Sequence, residues 1–311
     1  MIALPQNRFR EIILPKVLAS DLARVYLGHT VTSIHQDSTS VTVTAVSNSG
    51  TTEKVTGSFL IGADGGKSVI RKQLGLHLEG FTWPHIAVAI DIRLNLKPPQ
   101  DGPSSIYCVH PVDFAFFSII EEAREKGPNL WRCTLVMTEE ESQPGVFEDN
   151  LKQKLERLLP GVRPMEYELL RAQLYRLHQR HTTTMKSGRC LLIGDAAHLT
   201  NPWGGLGLTT GILDADSLAD ALEYVIKGGK PEAVLKTWSR ARLDVFKNIV
   251  SPTATRNFRR CYETDPNNPL SEPFFRLIHE NSDGLIDLNR GYQQMATDMS
   301  RLLHCHVTPQ L

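Results

Sequence analysis

Asp195 closes an apolar run, CLLIGD (190–195), and Pro202, Gly204, Gly205 and Gly207 follow it within twelve residues. A carboxylate at the end of a buried strand stands where open α/β folds take their ligands. The glycines leave bare backbone for a ligand to touch, and a helix expected to begin near Thr209 aims its N-terminal N–H groups and positive dipole end at the same loop. This combination suits a flat heteroaromatic group that gains negative charge on reduction, as a flavin ring does. A plain glycine-rich strand-to-helix connection is the simpler alternative. Gly205, Gly207 and Gly211 spell GxGxxxG but do not directly follow a strand, so they are not read as a dinucleotide fingerprint. A second acid, Asp64, ends the run FLIGAD and leads into GGKSVIRKQLG with Ser68 and Arg71. A helix cap is its simpler alternative role.

These residues need strands and helices to hold them. RFREIILPKVLASDLARVYLG (8–28) reads as a helix with Phe9, Ile12, Ile13 and Val17 on one face, shortened or kinked by Pro15. Alternating β-branched residues from 30 to 57, broken by SNSG, read as two or three strands. FLIGAD and CLLIGD suit buried parallel strands. From 85 to 137 four β-type runs separated by Pro, Gly and Asp predict a mostly antiparallel sheet, followed by a charged helix over 146–159. TTGILDADSLADALEYVIKGG predicts a helix with a glycine stop, and the chain from Pro231 onward is mainly helical.

Composition narrows the function. Lys plus Arg and Asp plus Glu are 34 each, which argues against a nucleic-acid binder, since phosphate backbones call for a basic surface. The five cysteines are scattered without a CxxC pair, which favours reduced thiols over a disulfide frame or zinc site. No secretory leader or membrane-length apolar run is read, so a cytoplasmic protein is expected.

With both motifs in view, the sequence resembles the class A FAD-dependent monooxygenases, the aromatic hydroxylases related to p-hydroxybenzoate hydroxylase. Gly194, Asp195, Ala196, Ala197 and His198 match that family's second flavin motif. So do Pro202, the glycines at 204, 205, 207 and 211, and Asp214-Ala215. Gly62, Asp64, Gly65, Ser68 and Arg71 match an upstream motif. The resemblance implies an α/β fold: an FAD-binding, Rossmann-like domain, an inserted mostly antiparallel β-sheet substrate domain, and a helical C-terminal region. The corresponding spans are 1–80 with 186–228, then 81–185, then 229–311. It implies FAD as cofactor, with Asp195 on the ribityl chain and Pro202, Trp203, Gly204, Gly205 and Gly207 against the ring. Asp64 would lie near the FAD linkage and the nicotinamide route, Arg71 would brace its motif, and Gln6 would reach FAD. His198 is expected to be structural. NAD(P)H would supply electrons and O2 the oxygen atom inserted into a small hydrophobic or aromatic substrate, and the wording PWGGLGLTTG points to secondary metabolism. Tyr107, His110, Phe114, Phe116 and Tyr175 are candidates to line the substrate, although aromatics in a sheet are more often core.

One departure stands out. The family opens with a strand, a GxGxxG turn and a helix that cradle the FAD pyrophosphate, and this chain has no GxGxxG. The expectation is an N-terminally truncated FAD-binding domain whose parallel sheet is left with an open edge, a place for a partner chain. Three readings compete: part of an ordinary monooxygenase, a short form that shares FAD with a partner, or a non-redox binding or cyclase/isomerase module on the surviving scaffold. The five arginines at 240, 242, 256, 259 and 260 are expected on a solvated helix face.

Overall fold

Alternating β-branched residues fold the early chain into a meander: β1 (His29–Gln36), β2 (Val41–Ser47) and β3 (Thr52–Gly57) pair antiparallel in that order. The SNSG turn closes β2 onto β3, with Gly50 at φ +82° and its N–H on the Ser47 carbonyl (2.9 Å). The structure is a computed structural model that describes residues 6–96, 105–122, 127–229, 232–280 and 293–304. Those residues form two compact units: 1–27, 83–177 and 259–276 in the first, and 28–82, 178–258 and 277–311 in the second.

The second unit carries the meander and a small sheet that positions both acid motifs. There β4 (Leu60–Gly62) runs parallel to β11 (Cys190–Leu192), and β11 pairs antiparallel with β10 (Lys186–Ser187). β11 is fully buried, as its apolar sequence demands. β4 is less enclosed than its sequence suggests: Ile61 is exposed, and among the described residues no strand pairs with its outer edge. Behind this sheet lie α2 (Val69–Gln73), α4 (Leu206–Ile226) and α5 (Ala233–Val245). Their core joins Leu191, Leu192, Ala197, Leu218, Leu235 and Trp238. α4 starts at Leu206, three residues before the expected position, because Gly205 adopts φ +63° and turns the chain directly into the helix. A π-helical turn (Phe246–Val250) joins α5 to α6 (Ser251–Glu263).

A six-stranded sheet, in the order β12-β9-β5-β8-β7-β6, dominates the first unit. Its strands are β5 (Leu78–Leu94), β6 (Ser105–Cys108), β7 (Ala115–Glu121), β8 (Asn129–Met137) and β9 (Tyr167–Thr182), with the short β12 (His198–Leu199) at one end. Residues 83 and 178 mark where β5 and β9 pass between units. β9 is a sixteen-residue strand that the sequence reading did not identify; its charged, weakly alternating letters, YELLRAQLYRLHQRHT, hide it. One sheet face buries Val88, Ile90, Ile92, Phe117, Trp131 and Leu135 beneath α3 (Phe147–Leu158). The helix α1 (Gln6–Leu18), expected in the nucleotide-binding remnant, groups instead with this sheet unit. The charge of Glu121 on β7 reaches its Arg8. The helical tail is divided between the units, α7 (Pro273–Glu280) beginning in the first and α8 (Met299–His304) lying in the second. No helix among the described residues is long and apolar enough to cross a membrane.

Candidate flavin site

Gly194 leaves β11 at φ +57° and starts a 3-10 turn, Gly194–Ala196, that presents Asp195. A Cβ on Gly211 would stand 3.3 Å from the Gly194 Cα, so the two glycines allow α4 to lie directly against this turn. Asp195 is solvent-exposed, and no described residue donates a hydrogen bond to its carboxylate. Desolvation by the surrounding protein still raises its carboxyl pKa above the ordinary range, against the opposing attraction of His198. A carboxylate held in this way gains from a ligand hydroxyl that donates to it.

Pro202 and Gly205 are exposed on the loop that follows, and a Cβ on Gly205 would meet nothing within 4 Å. The first turn of α4 has no side-chain cap, so its N–H groups face that open backbone. Gly207 lies inside this turn. Trp203 turns the other way: it is 3% exposed and packs edge-on against Phe258 (4.7 Å), so its ring is core beneath the loop and not a surface for the flavin. Its side chain is large and apolar, and burial of that area outweighs presentation on the loop.

Asp214 holds the whole turn. Its fully buried carboxylate accepts from the Gly194 N–H (3.0 Å), from His198 Nε2 (2.7 Å) and from Arg242 Nε (2.7 Å). Burial alone would raise its pKa, but the His198 hydrogen bond and the charges of His198 and Arg242 hold it below the ordinary range. Arg242 also donates to the Met295 carbonyl (2.5 Å), Thr297 Oγ1 (3.0 Å) and the Thr210 carbonyl (3.3 Å). This overturns the expectation of five solvated arginines. Arg240, Arg256 and Arg259 are exposed, whereas Arg242 is fully buried and Arg260 lies over the Phe274 ring (4.1 Å). Arg242 falls on the apolar stripe of its helix, four residues from Trp238 and four from Phe246, which was the available signal.

The helix run from 233 to 263 grips the loop at intervals of four and eight residues. Arg242 meets Asp214, Phe246 stacks on His198 (4.8 Å, 22°), a Cβ on Gly204 would stand 3.3 Å from the Ala254 Cα, and Phe258 meets Trp203. A 3.6-residue helix drifts away from such spacing, and the wider π turn takes up the difference. Gln179, unnoticed in the sequence, is 3% exposed. Its Oε1 accepts from Thr200 Oγ1 (3.0 Å) and the Asn201 N–H (2.7 Å) while its Nε2 donates to the Ser251 carbonyl (3.0 Å).

The upstream motif is tied to the same turn. Arg71, 5% exposed, donates from Nη1 to the Ala196 carbonyl (2.9 Å) and from Nη2 to the Gly66 carbonyl (2.8 Å). Asp64 accepts from the Val69 and Ile70 N–H groups (2.7 and 3.2 Å) and from Ser68 Oγ, so it helps cap α2 beside the N-cap Ser68, whose Oγ accepts from the Arg71 N–H (2.9 Å). Gln6 begins α1; its side chain lies outside the described residues.

In the sheet unit, pairing of β6 with β7 sets Tyr107 against Phe116 (4.8 Å), with Phe274 and Phe275 beside Tyr107. Thr134, opposite Phe116 on β8, hydrogen-bonds Tyr175, so Tyr107, Phe116 and Tyr175 share the face away from α3. Burial pushes the Tyr175 phenol up to about 12, opposed by Thr134 and Arg132. Phe114 is fully buried among His85 and Tyr262, and exposed His110 caps a turn, its Nδ1 accepting from the Val112 and Asp113 N–H groups.

An exposed acid beside an uncapped helix start, in a turn clamped by Arg71 and Asp214, is an arrangement for a polyol and an electron-accepting ring. The FAD binding domain family model matches residues 1–253. The chain therefore belongs to that family, and its lineage is that of the class A FAD-dependent monooxygenases. It is 36% identical over 268 residues to para-nitrophenol 4-monooxygenase of Pseudomonas sp. (strain WBC-3), covering 86% of this chain and 64% of the relative. It is 35% identical to 6-hydroxy-3-succinoylpyridine 3-monooxygenase HspB of Pseudomonas putida (strain DSM 28022 / S16), covering 78% and 60%. Among solved structures it is similar to p-nitrophenol 4-monooxygenase PnpA from Pseudomonas putida DLL-E4, with TM-score 0.81, 30% identity, and coverage of 94% of this chain and 72% of that one. The matches to the two curated relatives thus span less than two thirds of those proteins' length.

Proposed function

We propose that this chain forms the flavin-ring-binding and substrate-sheet part of an FAD-dependent aromatic monooxygenase that takes electrons from NAD(P)H and oxygen from O2. The observation that carries this reading is the unpartnered Asp195 carboxylate beside the uncapped first turn of α4. The site fits the ribityl and ring end of FAD: Asp195 would accept from a ribityl hydroxyl, and the bare Gly205 backbone would admit the ring. The α4 N-terminus would favour negative charge on its pyrimidine edge. Arg71 and Asp214 act only through the turn that they hold. When bound, the flavin supplies two-electron chemistry and O2 activation. The chain's own tasks are to orient the ring and the substrate and to exclude water.

The named relatives act on a nitrophenol and a hydroxypyridine derivative, and we read the substrate as a small hydroxylated arene seated on the Tyr107–Phe116–Tyr175 face. Similarity to 6-methylpretetramide 4-monooxygenase from Streptomyces rimosus, at 33% identity, favours a secondary-metabolism substrate as the second reading. The open outer edge of β4 is the place for a partnering segment, and the cytoplasm, with its NAD(P)H, is the compartment that this chemistry suits.

The test is a flavin titration followed by absorbance and fluorescence, then NAD(P)H oxidation with p-nitrophenol as probe. Flavin binding that is weakened about ten-fold or more in Asp195→Asn, with the fold intact, supports the reading; this corresponds to loss of one charge-assisted hydrogen bond. Absence of flavin binding by the wild-type chain would move it to the non-redox or fragment alternatives.

A further inference from the structure

We infer that residues 168–176 of β9 form a self-complementary sheet edge through which two copies of this chain pair about a two-fold axis. β5 covers one side of β9; on the other side β12 engages only Arg180 and His181, through Leu199 and His198. Among the described residues no strand pairs with the stretch before them, and this edge is distinct from that of β4. Such edges are usually blunted by charge, proline or a covering loop, because their unpaired N–H and C=O groups invite another strand. Here the edge carries Glu168, Arg171 and Arg176 but also exposes Leu169 (46%), Leu170 (46%) and Leu174 (37%).

The order of residues identifies the occupant as a second copy. In an antiparallel pairing centred on Ala172, Leu170 faces Leu174 of the other copy, Glu168 faces its Arg176, Leu169 faces its Tyr175, and every pair occurs twice by symmetry. A shift of register by one residue parts Glu168 from Arg176 and, in one direction, only exchanges the Leu170–Leu174 pair for Leu169–Leu174, so the opposite charges set the register. Glu168 and Arg176 remain able to take part. Glu168 has only a loose 3.8 Å contact with Arg93, and Arg176 engages Glu139 through Nη2 alone (2.9 and 3.0 Å). Nine paired residues make a small interface, so the dimer should dissociate on dilution, at concentrations on the order of micromolar.

Within one copy, positions 168 and 176 lie about 26 Å apart along the strand, at ~3.3 Å per residue, and cannot touch. Any coupling between them therefore reports a second copy. The experiment is sedimentation velocity over a concentration series on the 311-residue chain, with circular dichroism to confirm folding. The wild type should sediment as a reversible dimer. Glu168→Arg and Arg176→Glu should each weaken it about ten-fold or more, because each places two like-charge pairs at the interface. The double exchange E168R/R176E should restore it, although it keeps both disturbed contacts to Arg93 and Glu139. Leu170→Lys should yield monomer while the spectrum is unchanged. A monomeric wild type, a dimer indifferent to these changes, or a double exchange no better than the singles would overturn the proposal.

Discussion

At the scale of single residues, two neighbouring acids have opposite assignments. Asp214 is buried between His198 and Arg242, and removal of Arg242 leaves a buried charge uncompensated. Arg242→Met should cost about 3–5 kcal/mol in urea unfolding, more than an exposed pair such as Lys227 with Glu223 could contribute. Because the folded-state pKa of Asp214 is lowered, its stabilisation is complete above the ordinary carboxylate range, near pH ~4, and is lost as pH falls through the lowered value. Asp214→Asn should flatten that part of the acid limb of a stability–pH curve. Asp195 has the opposite sign: its raised pKa means that the fold disfavours the ionised form, so Asp195→Asn should leave the unliganded protein at least as stable at neutral pH. Equilibrium unfolding checks this, and the same variant serves the flavin titration. A loss of both stability and flavin binding would mark Asp195 as structural.

The element that sets the site is the start of α4. Gly205 lies at φ +63° with open space above it, so a side chain there meets strain in the backbone and no clash. Gly205→Ala should cost about 1 kcal/mol from the left-handed conformation and, in addition, weaken flavin binding by placing a methyl group on the open face. Gly205→Asn, more tolerant of that conformation, should recover stability without recovering binding; denaturant midpoints and flavin titrations separate the two effects. The element was legible in outline: PWGGLGLTTG announced a glycine loop and a helix. Its start was misplaced by three residues because the left-handed turn at Gly205, which the letters only permit, fixes it. β9 was missed because its charged residues conceal the alternation that pairing with β5 imposes.

For the molecule as a whole, the proposed flavin contacts, Asp195 and the start of α4, would all serve the ring and ribityl end. FMN and FAD should therefore bind this 311-residue chain with affinities within about three-fold of each other. At 100 times the dissociation constant either should stabilise it by about 2.7 kcal/mol. Parallel titrations with thermal melts check this, and a strong preference for FAD would locate adenine-side contacts on this chain.

The sequence alone determined the lineage, the two acid motifs, the parallel character of the strands that carry them and the antiparallel sheet. These depend on local letters: apolar runs ending in acid, glycines at fixed spacing, and β-branched alternation. Tertiary structure decided which acid is available and which is spent. Asp64, Asp195 and Asp214 are alike in sequence, and only packing turns the first into a helix cap, leaves the second open and locks the third between His198 and Arg242. Burial also moved Trp203 from the expected ring surface into the core and Arg242 from a solvated face into the centre of the site. The reason is physical: whether a polar group faces water or a partner is set by residues distant in the chain, and no local spacing records them.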